Sequence, residues 1–186
     1  MAADPLLPVA DALKRILASV PLMAGEEAPV SMALGRVAAE PGRSRRTQPP
    51  VAMSAMDGYA VRAEDVATVP ATLTRVGSAP AGGSYDGTLQ SGQTVRIFTG
   101  GPVPDGADAI VIQEDVDAES ETDGARITVR EEATAGRYIR PAGLDFKIGD
   151  IGIAAGRAIT ARDTGLAAAM NVPWILVRRR PKVAIL

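Results

Sequence analysis

Three short segments carry the residues with chemistry to offer. Residues 54–61, SAMDGYAV, set Asp57 and Tyr59 on either side of Gly58. Glycine lets backbone approach a bound molecule, tyrosine stacks and donates a hydrogen bond, and aspartate holds a cation or an amide proton. A tight turn accounts for an Asp-Gly pair equally well. Residues 95–115, VRIFTGGPVPDGADAIVIQED, run a β-branched stretch into Thr99-Gly100-Gly101. Consecutive peptide N–H groups there, with the threonine hydroxyl, suit an anion. The plainer reading is a strand-ending turn stiffened by Pro102, and the lysine and following helix of a P-loop are missing. Residues 143–150, GLDFKIGD, flank Lys147 with Asp145 and Asp150. In alternating structure 145, 147 and 149 share a face and 150 points away, so these two aspartates do not pair directly. The basic runs RSRRT and RRRPK read as solvated surface, with a phosphate contact open to Arg45, Arg46 or Arg96.

Composition narrows the chemistry. The chain has no cysteine and no histidine, which removes zinc–thiolate sites, thiolate nucleophiles and Ser-His-Asp arrangements within it. Carboxylate, hydroxyl, amine and guanidinium groups remain, and a hard cation such as magnesium suits them. A net charge of -2 provides no global field toward nucleic acid or an anionic bilayer, so neither is expected as a partner. No apolar run approaches a membrane span, and the N-terminus has no basic stretch before an apolar block. A cytoplasmic enzyme or binding protein is the expectation.

The positioning elements follow from periodicity. Val9, Leu13, Ile16, Leu17 and Val20 lay one stripe along a helix that Pro21 stops. A second helical turn is predicted at 31–34, with Ser31 as N-cap and Gly35 as its stop. Residues 40–56 hold three prolines and a glycine and read as an extended crossing. Between Val61 and Arg140 the β-branched runs TLTRV, TVRIF, AIVIQEDV and RITVR predict a β-rich region, the last two joined through Asp123-Gly124. After Ile139 short apolar runs alternate with glycine turns. Thr160 with Asp163 then resembles a capping box for a helix over roughly 161–170. WILV and VAIL follow, and KVAIL reads as a buried parallel strand that opens a further α/β domain.

In this order, SAMDGYAVRAEDV, RIFTGGPVPDGADAIVIQED, IRPAGLDFKIGD and GRAITARDTGLAAAMNV resemble the N-terminal region of the molybdopterin molybdenumtransferases, the family of bacterial MoeA and the gephyrin E domain. The resemblance spans nearly the whole chain and implies an α+β, β-rich fold of elongated two-lobe form. A dimerisation lobe (1–49 and 139–178) would carry an inserted β-rich lobe (50–138), and 179–186 would begin a pterin-binding α/β domain. The family works as a homodimer, receiving adenylylated molybdopterin from the protein that adenylylates it, and inserts molybdate with Mg2+ and release of AMP. By motif, the resemblance implies Asp57, Thr99 and Asp145 as catalytic, with Asp57 and Asp145 toward the metal and Thr99 donating to a phosphate or molybdate oxygen. Met56, Gly58, Tyr59, Arg96 and Gly100 are implied as substrate-binding. The family often has glutamate where this chain has Leu144. The isolated piece is expected to be inactive.

Two other readings compete. One is a gephyrin-like scaffold that dimerises without catalysis, and the other a hydrolase using Asp57 and Asp145 as paired acids.

Overall fold

The computed structural model describes residues 7–185. In chain order the elements are α1 (Val9–Ser19), β1 (Gly25–Pro29), β2 (Gly42–Arg43), β3 (Met53–Ser54), β4 (Gly58–Val61), β5 (Ala71–Ala79), β6 (Gln93–Ile97), β7 (Ala109–Ile112), β8 (Val116–Ala118), β9 (Arg126–Val129), β10 (Ile139–Arg140), β11 (Ile151–Ile153), α2 (Ala161–Ala169) and β12 (Trp174–Arg178). They fall into two compact units. One runs to Arg45 and resumes at Gly149, and the other is Arg46–Ile148.

The inner unit is built on a six-stranded sheet in the order β7-β4-β6-β5-β9-β8. Neighbours pair antiparallel except β5 with β6, which are parallel. Side chains alternate across the pleat, so Tyr59, Val61, Ala109 and Val111 enter one core while Ala60, Val95, Ile97 and Ile110 enter the other. Burial on both faces explains why GYAV shows no alternation in the sequence and was not read as a strand. At its centre Thr94 is buried and donates its hydroxyl proton to the Ala60 carbonyl at 2.8 Å, which satisfies this buried hydroxyl. The β8–β9 pair forms the expected hairpin, and Gly124, at φ +90°, makes the left-handed turn.

β10 pairs with β3, and the Gln48 and Phe146 backbones bridge. Residues 139–148 therefore belong with the β-rich unit, not with the dimerisation lobe in which the sequence reading placed them. That reading followed the order of the runs, whereas the ladder decides membership.

In the outer unit β1 pairs with β12 and β2 with β11, both antiparallel. β1, GEEAP, carries no strand signal and owes its conformation to that pairing. α2 starts at the predicted box. The Thr160 and Asp163 side chains each take the other's backbone N–H, and Asp163 also accepts from the Thr160 hydroxyl and from Arg157. Met170 presses on Gly152 so closely that a Cβ there would lie 2.4 Å from its sulfur. The turn predicted at 31–34 is a short 3-10 helix over Val30–Met32, begun after Pro29, so Ser31 lies inside it and caps nothing. α1 ends at Ser19 as Val20 turns extended ahead of Pro21, and none of its residues is buried. Residues 180–185 form no strand and are exposed, because among the described residues no neighbouring strand pairs with them.

Candidate functional site

Asp57 precedes β4 and Thr99 follows β6, its neighbour in the sheet. Asp57 Oδ1 accepts from the Thr99 backbone N–H and from its hydroxyl, both at 2.7 Å. These two bonds, N–H first, lower the Asp57 pKa below the usual 3.8; Arg96 adds a smaller lowering, and desolvation opposes all three. The carboxylate is thus ionised at neutral pH while remaining exposed. A group in that state is a poor proton donor, so in a paired-carboxylate hydrolase Asp57 would not fill the general-acid role.

The turn after β6 is the strand-ending turn of the plainer reading and not an open anion cup. Thr99 N–H goes to Asp57, Gly100 N–H to the Ser54 carbonyl at 2.9 Å, and Gly101 N–H to the Phe98 carbonyl at 2.7 Å. All three donors serve the protein. Gly100 adopts φ +80°, and a Cβ on Gly101 would lie 2.4 Å from the Ala79 carbonyl oxygen, so both glycines are needed to fold the turn back on the sheet. The Thr99 hydroxyl proton likewise points to Asp57, so toward a ligand the hydroxyl has lone pairs to present, not the donation expected of it.

Gly58 and Tyr59 also serve the sheet. A Cβ on Gly58 would sit 2.0 Å from the Val111 carbonyl oxygen, so the close approach that requires glycine is that of β7, not of a ligand. Tyr59 is only 4 % exposed and lies in the core, so its ring cannot stack on a bound molecule as expected. The aromatic ring exposed beside Thr99 is Phe98, at 37 %. Met56 is exposed too, its turn closed by the Ser54 hydroxyl donating to the Met56 carbonyl at 2.6 Å.

Arg96 has its guanidinium carbon over the Tyr59 and Phe98 rings, 5.2 and 4.6 Å from their centres. Its Nη1 donates to the Gly58 carbonyl at 2.7 Å and its Nη2 to Gln113 Oε1 at 2.7 Å. Gln113 in turn donates its backbone N–H to the Asp57 carbonyl at 3.1 Å. Phe98 and Gln113 were not selected from the sequence; both lie inside the quoted 95–115 motif, but only pairing across strands identifies them.

Asp145 makes its contacts elsewhere. It accepts from Arg140 Nη2 at 3.2 and 3.4 Å, and its backbone N–H donates to the Gln48 carbonyl. Among the described residues no cluster of three or more acidic side chains is arranged to hold a metal. The donor set suits magnesium only in its water-rich mode, with one or two carboxylates and oxygens from a phosphate ligand.

The family model for the MoeA N-terminal region (domain I and II) matches residues 7–171. The chain is 37 % identical over 155 residues to a molybdopterin molybdenumtransferase of a Nostoc species, covering 81 % of this chain and 35 % of that protein. It is 34 % identical over 178 residues to molybdopterin molybdenumtransferase 1 of Mycobacterium tuberculosis, covering 84 % and 40 %. It superposes on the crystal structure of the molybdopterin biosynthesis MoeA protein of Pyrococcus horikoshii OT3 with a TM-score of 0.85 at 30 % identity, over 95 % of this chain and 47 % of that one. The chain therefore spans less than half the length of each of these relatives. With its β-rich sheet, its capped second helix and its Asp57–Thr99 pair, the chain belongs to the MoeA N-terminal region family.

Proposed function

We propose that this chain is the N-terminal part of a molybdopterin molybdenumtransferase, which inserts molybdate into adenylylated molybdopterin and releases AMP in molybdenum cofactor biosynthesis. The observation that carries the reading is the ionised, exposed Asp57 clamped by Thr99, in a chain whose relatives bear that enzyme's name. Asp57 and Asp145 are the catalytic carboxylates, with Thr99 as the residue that positions Asp57. Asp57 and Asp145 are the carboxylates that would hold Mg2+, whose chemistry is to neutralise phosphate charge as AMP leaves. Thr99 holds Asp57 in place. Met56 and Gly100 line the substrate side, and the protein acts in the cytoplasm, taking its substrate from the adenylylating protein.

The working unit is a homodimer. α1 shows Leu13, Ile16 and Leu17 54–60 % exposed, with Val20 at 60 % on the same stripe. A helix of 11 residues with no buried side chain is marginal in water and gains its stability from a covering surface. The same stripe is the observation behind the scaffold reading, which differs only in needing no acidic site. Grafting this chain onto the remainder of the Nostoc relative and measuring molybdate-dependent AMP release tests the two. Asp57→Asn is expected to reduce the rate by roughly 100-fold or more. A rate within about two-fold of the parent graft would remove Asp57 from the catalytic residues, and a parent graft with no AMP release would favour the scaffold reading.

A further inference from the structure

We propose that Arg96 is a positioning residue which, together with Gln113, braces the ends of β6, β4 and β7 and thereby holds Asp57 and Thr99 in a single geometry. The inference rests on the reading of Asp57 and Thr99 as site residues, but it concerns how they are held and not which substrate they meet.

Four contacts close a ring. From β6, Arg96 Nη1 reaches the Gly58 carbonyl on β4, and the same atom lies 3.3 Å from the Ile97 carbonyl. Its Nη2 reaches Gln113 Oε1, one residue past β7. Gln113 returns to the strand between them through its N–H to the Asp57 carbonyl. Asp57 then grips Thr99, three residues along the chain from Arg96. The three strands so laced are adjacent in the sheet, and the lacing lies at the end where Asp57 and Thr99 meet.

The guanidinium plane is fixed as well. Tyr59 is the residue directly opposite Arg96 in the β4–β6 register. Its ring is buried in the core, and the guanidinium also lies over the Phe98 ring. A planar fork stacked on rings and bonded to two carbonyls and an amide is a role that lysine's single ammonium does not reproduce. Both Nη atoms are directed at protein acceptors, whereas a phosphate-binding arginine presents its fork to the ligand. The expectation that Arg96 binds substrate is thereby replaced by one in which it orders the residues that do.

The test is nitrogen-detected NMR on the isotope-labelled chain, following hydrogen exchange of the Thr99 amide. Arg96→Met is expected to speed Thr99 exchange by roughly tenfold or more, while the Thr94 and Val95 amides in the sheet keep their protection. Arg96→Lys is expected not to restore the Thr99 protection. Gln113→Leu, which removes no charge, is expected to speed Thr99 exchange as well. Parental Thr99 exchange in a folded Arg96→Met chain would overturn the proposal. Should Arg96→Met not fold, parental Thr99 exchange in Gln113→Leu overturns it instead. Saturable shifts of the Arg96 Nε–H resonance on adding inorganic phosphate would return Arg96 to substrate binding and also overturn it. None of these readouts involves molybdopterin, so failure of the enzymatic reading leaves them unchanged.

Discussion

The Asp57 carboxylate and Thr99, 42 residues apart in the chain, are joined by two hydrogen bonds of 2.7 Å to the same oxygen. A carboxylate held by both donors of one residue keeps its orientation and its charge. Because its folded pKa lies below 3.8, the stabilisation from this pair is complete above that value and is lost as the pH falls through the folded pKa. Thr99→Val keeps the amide bond but removes the hydroxyl, so the Asp57 midpoint moves upward toward 3.8. Thr99→Ser leaves it in place. Carboxyl carbon NMR across the acid range reads both, and an unmoved midpoint in Thr99→Val refutes the hydroxyl's part.

Gly58 is a packing glycine. With the Val111 carbonyl oxygen 2.0 Å from where a Cβ would stand, Gly58→Ala must part β4 from β7. The expected loss is at least about 2 kcal/mol of unfolding free energy, measured by urea titration. A near-neutral result would mean that the two strands separate without cost.

The capping box on α2 provides a second acid-sensitive point. Asp163 is buried, and the Thr160 hydroxyl first, then the Thr160 N–H, lower its pKa below 3.8; Arg157 contributes less. Its contribution is therefore present at neutral pH and disappears as the pH falls through that lowered value. Thr160→Ala is expected to cost about 1 kcal/mol at pH 7, with much of the difference from the parent vanishing once Asp163 is protonated. Thermal unfolding at pH 7 and in acid compares the two, and a pH-independent difference would exclude the linkage.

The exposed stripe of α1 carries the dimer proposal. Leu13 and Ile16 are 54 % and 60 % exposed, so a charge at either leaves the folded units intact, within about 0.5 kcal/mol. Leu13→Glu is expected to yield monomers by size-exclusion chromatography with light scattering where the parent gives dimers. A parent that is itself monomeric at tens of micromolar counts against the homodimer.

Much of the fold was legible because its signals are local. The stripe from Val9 to Val20, the Thr160–Asp163 box and the Asp123-Gly124 turn each encode their element within a few residues, and each element stands where periodicity or turn chemistry predicted it. Strands without a local signal were missed. GEEAP is extended because β12 pairs with it, and GYAV is buried on both faces, so neither shows the alternation of a half-buried strand. Val183 and Ile185 illustrate the converse: an apolar run reads as a strand, yet both residues are exposed with no ladder beside them.

The candidate site divides along the same line. The ordered motifs by themselves singled out Asp57, Thr99 and the family, since a series of short segments retains its order and residue types whatever the coordinates. Only the tertiary structure decided what each residue does there. It turned Tyr59 into the core, directed the Thr99–Gly101 amides to the protein, set Asp145 against Arg140, and brought in Phe98 and Gln113. The physical reason is that a hydrogen bond or a stacked ring is made by atoms a few ångströms apart, and in a sheet those atoms come from strands whose adjacency and register are set by the pairing of the whole sheet.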